Sequence, residues 1–271
     1  MRVTVEPIIS SERVKYLIQR GVSLLGWILL MVSLCGSSVV WAGPPFVTDD
    51  PEPVDLHHWE FYAASELVRD QSGRSGTLPH FEINYGAAPN LQIHMILPIA
   101  FVRPEGGPRE SGLGDIELGL KYRFVQETEG RPMIGLFPLV ELPTGNSDRG
   151  LGNGETQAFF PVWLQKSWGA WTSYGGGGYF VNPGSGNKDY WLGGWEIQRD
   201  LGESLTLGGE LFGTTAQVEG GKGAINFNIG GQFNLGQKHH LLFSIGRSFS
   251  QEPDLTAYVA YQLTVGPSAD K

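Results

Sequence analysis

Thiols are almost missing from this chain. Its one cysteine, Cys35, lies in an apolar N-terminal stretch, so the region beyond has no disulfide, thiolate metal site or cysteine nucleophile. Basic charge is scarce too. There are 19 Lys and Arg against 28 Asp and Glu, a net charge of −9, which argues against nucleic acid as a partner because phosphate recognition needs a basic surface. Catalytic signatures are also absent. The sequence holds no G-x-S-x-G, no H-E-x-x-H and no phosphate loop, and the run Gly175–Gly178 sits inside a strand pattern and precedes no helix. What is plentiful is glycine, at 39 residues, with aromatics at 11%. That is a profile of many glycine-bounded strands.

Arg13, Lys15 and Arg20 precede an apolar run from Val22 to Val40, followed by Trp41, Ala42 and Gly43. A basic flank, an apolar core and small residues at a cut site predict a secretory signal over residues 1–42, cleaved after Ala42. The alternative is an uncleaved anchor, because the run is long enough to span a bilayer. Bulky Leu34 disfavours a lipoprotein cut before Cys35. Residues 43–56, GPPFVTDDPEPVDL, are proline-rich and acidic, which predicts an extended arm rather than a central strand.

The pattern of the remainder is clearest in GLGDIELGLKYRF, Gly112–Phe124. Ile116, Leu118, Leu120, Tyr122 and Phe124 alternate with Asp115, Glu117, Gly119, Lys121 and Arg123. Period two places the sets on opposite faces of one strand. Charges on one face, with an apolar face ending in aromatics, predict a wall with lipid outside and water inside. Similar strands recur through residues 57–265, about twelve in all, ahead of a polar tail at 266–271. Longer polar connections follow the odd strands and shorter turns the even ones, the asymmetry of an outer-membrane barrel with periplasmic termini. The expected fold is all-β, a single antiparallel transmembrane barrel.

GPPFVTDDPEP, the HWEFY of His58–Tyr62, the NLQIH of Asn90–His94 and GLGDIELGLKYRF together resemble a bacterial outer-membrane family catalogued under the "MetA-pathway of phenol degradation". The resemblance runs from about Gly43 to Val265. It implies a channel-like barrel for uptake of aromatic or other apolar compounds. One departure is the end of the chain: such barrels commonly finish on an aromatic residue read by the assembly machinery, whereas here Tyr261-Gln262-Leu263 is followed by the polar tail.

The phase of the strands sends Glu60, Glu66, Glu82, His94, Asp115, Glu117, Glu141, Glu196 and Glu210 inward, opposed by Lys121 and Arg123. An electronegative lumen prefers cations or neutral solutes; equally, these acids could only solvate or brace the inner wall. Tyr62, Trp163, Tyr179, Tyr190 and Tyr258 are read as inward aromatics, which form either an apolar slide or barrel packing. Trp59, Trp191, Trp195 and Tyr261 are read as outward interface anchors. Thr48, Asp49, Asp50 and Glu52 are candidate plug residues, with Lys121 and Arg123 as partners if the arm enters. The arm's acids make a weak calcium site, and no metal or cofactor is assigned. Six histidines are present, and His80, His94 and Glu82 fall on adjacent strands, but no motif ties Ser65, Ser173 or Ser244 to them.

The sequence thus predicts a passive outer-membrane channel for small, apolar or aromatic solutes, with lipid and the assembly machinery as further partners. The alternatives are a structural or adhesive barrel with a closed lumen, and more remotely a barrel enzyme acting on lipid or peptide.

Overall fold

The computed structural model describes residues 44–249 and 253–267; the segment expected to be a signal and most of the polar tail lie outside them. Fourteen strand segments close into one antiparallel sheet. They are β1 (Trp59–Arg69), β2 (Gly73–Ala88), β3 (Leu91–Pro104), β4 (Glu110–Leu113), β5 (Ile116–Val125), β6 (Met133–Leu136) and β7 (Leu139–Leu142), then β8 (Gln157–Trp168), β9 (Trp171–Val181), β10 (Tyr190–Asp200), β11 (Leu205–Thr214), β12 (Ala224–Asn234), β13 (His239–Ser248) and β14 (Leu255–Val265). β1 pairs with β14 in register from Trp59↔Val265 to Arg69↔Leu255, so the sheet has no free edge there. β4 with β5, and β6 with β7, each form one interrupted wall strand, giving a closed barrel of twelve strands. Among the described residues the only helix is a short 3₁₀ turn, Ser147–Arg149.

Both interruptions have local causes. The β3–β5 register ends at Ile96↔Glu117, and β3–β4 resumes at Ile99↔Leu113, one residue out of step. Gly114 and Asp115 are the bulge. Asp115 leaves the ladder, and its carboxylate accepts from Gly145 N (2.8 Å) and Asn153 N (2.6 Å). The single strand expected over Gly112–Phe124 is therefore broken, and Leu113 faces outward. At the second break Pro138 has no N–H to donate; its carbonyl still accepts from Leu120 N.

Alternation sorts the side chains by face. Leu118, Leu120, Tyr122, Phe124, Phe160, Leu211, Ile229 and Val259 are exposed outward, an apolar belt matching a lipid-facing surface. Aromatic pairs mark both ends of that belt: Trp59 stacks on Tyr85 at one, and Tyr179 meets Trp191 edge-on at the other. Trp59, Trp191, Trp195 and Tyr261 all point outward, as read from the sequence. Tyr179 does too, a correction to its inward reading. It is exposed and hydrogen-bonds Asp189, because β9 is phased by inward Phe180 and Gly178.

The connections differ at the two ends. Turns 89–90, 169–170, 201–204 and 235–238 are short; loops 105–109, 143–156, 182–189 and 215–223 on the opposite end are longer. The first connection departs from expectation. β1 and β2 extend until only 70–72 remain, a turn closed by the Asp70 carboxylate accepting from Ser72 N and Gly73 N. Turn 126–132 is the longest on the short-turn end. Burial raises its Glu127 carboxyl, but hydrogen bonds from Lys166 and Ser167 N outweigh this and hold it below the usual carboxylate range.

Candidate functional site

The arm does not hang from the barrel. From Trp59 at the short-turn end it enters the lumen, and Phe46, Val47, Thr48 and Asp49 are buried. At its base Leu56 bridges Gly86, and Val54 N donates to Gln92 Oε1 (2.9 Å). Further in, Lys121 Nζ lies 2.9 Å from Asp49 Oδ1 and 3.6 Å from Asp50. Arg123 stands 3.6 Å from Glu52, which also accepts from Gln165 Nε2. Deepest, the Glu210 carboxylate accepts from Val47 N (2.8 Å) and Thr48 N (2.7 Å), and Ser244 Oγ donates to Pro45 O. All four arm residues singled out by sequence, Thr48, Asp49, Asp50 and Glu52, are thus brought against the inner wall. Their acidity is met by Lys121 and Arg123.

The wall makes room for the arm by omitting side chains. A Cβ at Gly86 would collide with the Asp55 carbonyl, one at Gly135 with Pro51, and one at Gly194 with Thr48 Oγ1 and Phe212. Three inward glycines on three strands follow the arm's path, so the fit extends along the segment. A close backbone approach is the physical reason for glycine at such positions.

The lumen has two chemically distinct sides. On β2, β3 and β5, His94 is held by both nitrogens: Nδ1 lies 2.7 Å from Asn84 Oδ1 and Nε2 lies 2.9 Å from Glu117 Oε1. Asn84 in turn donates to Glu82 (2.8 Å), and Tyr62 OH donates to Glu60 (2.9 Å). Three of the predicted inward acids, Glu60, Glu82 and Glu117, and His94 therefore belong to hydrogen-bonded pairs on one side of the wall. On β6–β11 the inner face carries a large apolar patch. Phe137, Leu139, Phe159, Trp163, Phe180, Tyr190, Leu192 and Phe212 form one buried cluster with Val47 of the arm. Phe180 and Tyr190 stack at 4.7 Å between ring centroids.

The remaining predicted site residues divide. Glu196 and Glu210 are inward, buried cross-strand neighbours. Glu66 and Glu141 are half-buried. Asp115 is a correction in role: its carboxylate is spent on the backbone of loop 143–156 instead of facing the lumen as a free charge. Sequence reasoning missed Asn84, Gln92, Asn228, Phe137 and Gly194. Their signal was available in the phase of their strands, since each falls on an inward position. His80 and His94 do not hydrogen-bond one another; His80 Nδ1 contacts Thr77 Oγ1 (2.6 Å). Of the serines considered, Ser173 accepts from Trp195 on the outer face and Ser244 serves the arm.

A closed twelve-stranded barrel with a lipid-facing belt and an internally docked N-terminal segment defines the protein as an outer-membrane β-barrel. The family model described as "Putative MetA-pathway of phenol degradation" matches residues 74–261, and the chain belongs to that family. Among solved structures it is similar to an outer-membrane channel from Pseudomonas putida F1. Identity there is 17%, over 83% of this chain and 100% of that one, with a TM-score of 0.64. An outer-membrane protein of Vibrio cholerae is matched at 8% identity over 76% of this chain and 98% of that one, with a TM-score of 0.33. No curated protein matches the chain. The barrel fold, with its lipid-facing belt, supports an outer-membrane location.

Proposed function

We propose that the protein is a passive outer-membrane channel for small apolar or aromatic solutes, and that the arm is its plug. Short turns and termini would face the periplasm, with residues 1–42 removed as an export signal. One observation carries the solute class: the inner face of β6–β11 carries a contiguous patch of aromatic and aliphatic side chains, with Glu196 and Glu210 beside it. A lumen that passes only water and ions needs polar lining, so an inward apolar wall fits solutes that leave water readily. The likeness to the Pseudomonas putida outer-membrane channel supports the channel part of this reading. Catalysis is disfavoured because His94 is committed to Asn84 and Glu117 with no nucleophile aligned on it.

Swelling of proteoliposomes containing the mature chain tests the proposal. Phenol-like solutes are expected to enter faster than sugars of similar size, and anionic aromatics to lag. Equal rates for sugars and aromatic solutes would remove the apolar specificity. The adhesive alternative predicts instead that deleting loop 143–156 abolishes surface binding and leaves flux unchanged.

A further inference from the structure

Two cross-strand neighbours in the inner wall have opposite surroundings. Glu196 on β10 is paired in register with Glu210 on β11, and both face inward, at 0% and 3% exposure. Directly opposed residues on one face stand about 4.5–5.5 Å apart at Cβ, where like charges repel. Glu210 is fully engaged by Val47 N, Thr48 N and Asn228 Nδ2. Glu196 is not: neither Oε1 nor Oε2 has a hydrogen-bond partner among the described residues. A buried carboxylate without donors is strongly disfavoured, and a native fold that keeps one needs a reason for it.

The wall beside Glu196 is hollowed out. Gly194 lies two residues away on the same face, and Gly176 is its partner on β9. Neither contributes a side chain, and the Trp163 ring lies over Gly176. Thr48 fills the notch at Gly194, while Val47 sits among the aromatic rings. The arm therefore places an apolar side chain against aromatic faces and two N–H donors on a carboxylate. An apolar body with a donating head is what a ligand of this site would present.

We propose that residues 46–48 stand in for a solute, and that the cradle beneath them binds small ring-bearing amines as their ammonium ions. The inference deepens the channel reading and rests on it for access to the site. Charge and donor count select the ammonium over a hydroxyl. With the arm withdrawn, the Glu210 carboxylate loses both of its arm donors, and Glu196 stands beside it in register with Oε1 turned to the notch at Gly208, so two adjacent acids are left to be met. A neutral hydroxyl has one donor to offer them, whereas an ammonium has three and carries the compensating charge. Trp163 and Phe212 provide ring faces that attract a cation. Lys121 borders the same cluster, 4.9 Å above the Phe137 ring. It lies on β5, on the far side of β6–β9, and is bound to Asp49 and Asp50.

The test is calorimetric binding to the full mature chain in lipid nanodiscs at neutral pH, with benzylamine, benzyl alcohol and benzoate as probes of one shared ring. Benzylamine is expected to bind about tenfold more tightly than benzyl alcohol, and benzoate not at all. Glu196→Gln should reduce the amine preference to about twofold or less, with the loss falling on benzylamine. Val47→Asp, which expels the arm from the aromatic cluster, should tighten benzylamine at least about threefold, because less of the protein is then occupied by its own segment. Equal binding of amine and alcohol by the wild-type chain overturns the proposal, and that comparison needs no variant to fold. Survival of the preference in Glu196→Gln, or no amine binding in either wild type or Val47→Asp, overturns it too. Flux of the same probes into proteoliposomes is read separately: intact amine binding without flux of any probe would sink the channel reading alone.

Discussion

Lys121 on β5 and Asp49 on the arm meet at 2.9 Å inside the barrel, both side chains almost wholly buried. The pair ties a proline-rich segment to a wall strand and neutralises an acid that the electronegative lumen would otherwise repel. Removing one partner of such a pair leaves an uncompensated buried charge, at a cost of about 3–5 kcal/mol. Lys121→Met is therefore expected to undock the arm. Limited proteolysis with an Asp/Glu-directed protease should cut the arm of the variant many times faster than that of the wild type, with the barrel intact. Unchanged cleavage would show that the ion pair does not hold the arm.

Glu210 tests the inner end of the same segment. Its carboxylate takes two backbone N–H donors from the arm, each charge-assisted bond being worth about 1.5–3 kcal/mol. Glu210→Ala should raise amide hydrogen exchange at Val47 and Thr48 by at least about tenfold. Exchange in β11 itself should change little.

Glycine placement makes a sharper prediction, because it separates shape from charge. Gly135→Val would force a side chain into Pro51, whereas Gly130 has open space where its Cβ would stand. The first substitution should displace the arm and raise the open-channel current. Gly130→Ala should leave current and thermal stability as they are. Equal behaviour of the two variants in planar bilayers would contradict the docking described above.

Asp115 offers a control on the lumen charges. Since its oxygens serve Gly145 N and Asn153 N, Asp115→Ala should loosen loop 143–156, seen as faster exchange at those two amides. Ion selectivity, read as the reversal potential under a salt gradient, should stay within a few millivolts of wild type. A clear shift toward anions would return Asp115 to the conducting path.

Much of the wall was readable from period-two alternation alone. Phe160 and Val162 outward with Trp163 and Gln165 inward, or Leu118 and Leu120 outward with Glu117 and Lys121 inward, follow directly from residue type. Alternation fails where the backbone slips by one. The bulge at Gly114 and Asp115 reverses the face of Leu113, and the register shift between Thr77 and His80 does the same around Leu78. Nothing in a single sequence marks such a slip. Tyr179 was misread because the glycine run before it supplies no side chains from which to take the phase. For the arm, its acids and their partners Lys121 and Arg123 were legible as charge. Its insertion depth was not, since that is set by absences: Gly86, Gly135 and Gly194 are informative only once the segment passing over them is known.

If this barrel is a channel closed by its own arm, a reversible tether between arm and wall will control its current. A Cβ at Gly135 would stand 2.9 Å from Pro51 Cβ, closer than the separation of about 3.5–4.5 Å that a disulfide spans, so a small outward shift of the arm brings the two positions into range. The double variant Pro51→Cys/Gly135→Cys, in mature protein lacking Cys35, can lock the arm to β6 by oxidation. Single-channel recording under oxidising and then reducing conditions is the decisive measurement. The oxidised barrel should be silent, and current should return on reduction. Equal current in both states would mean that the path for solutes does not run where the arm lies.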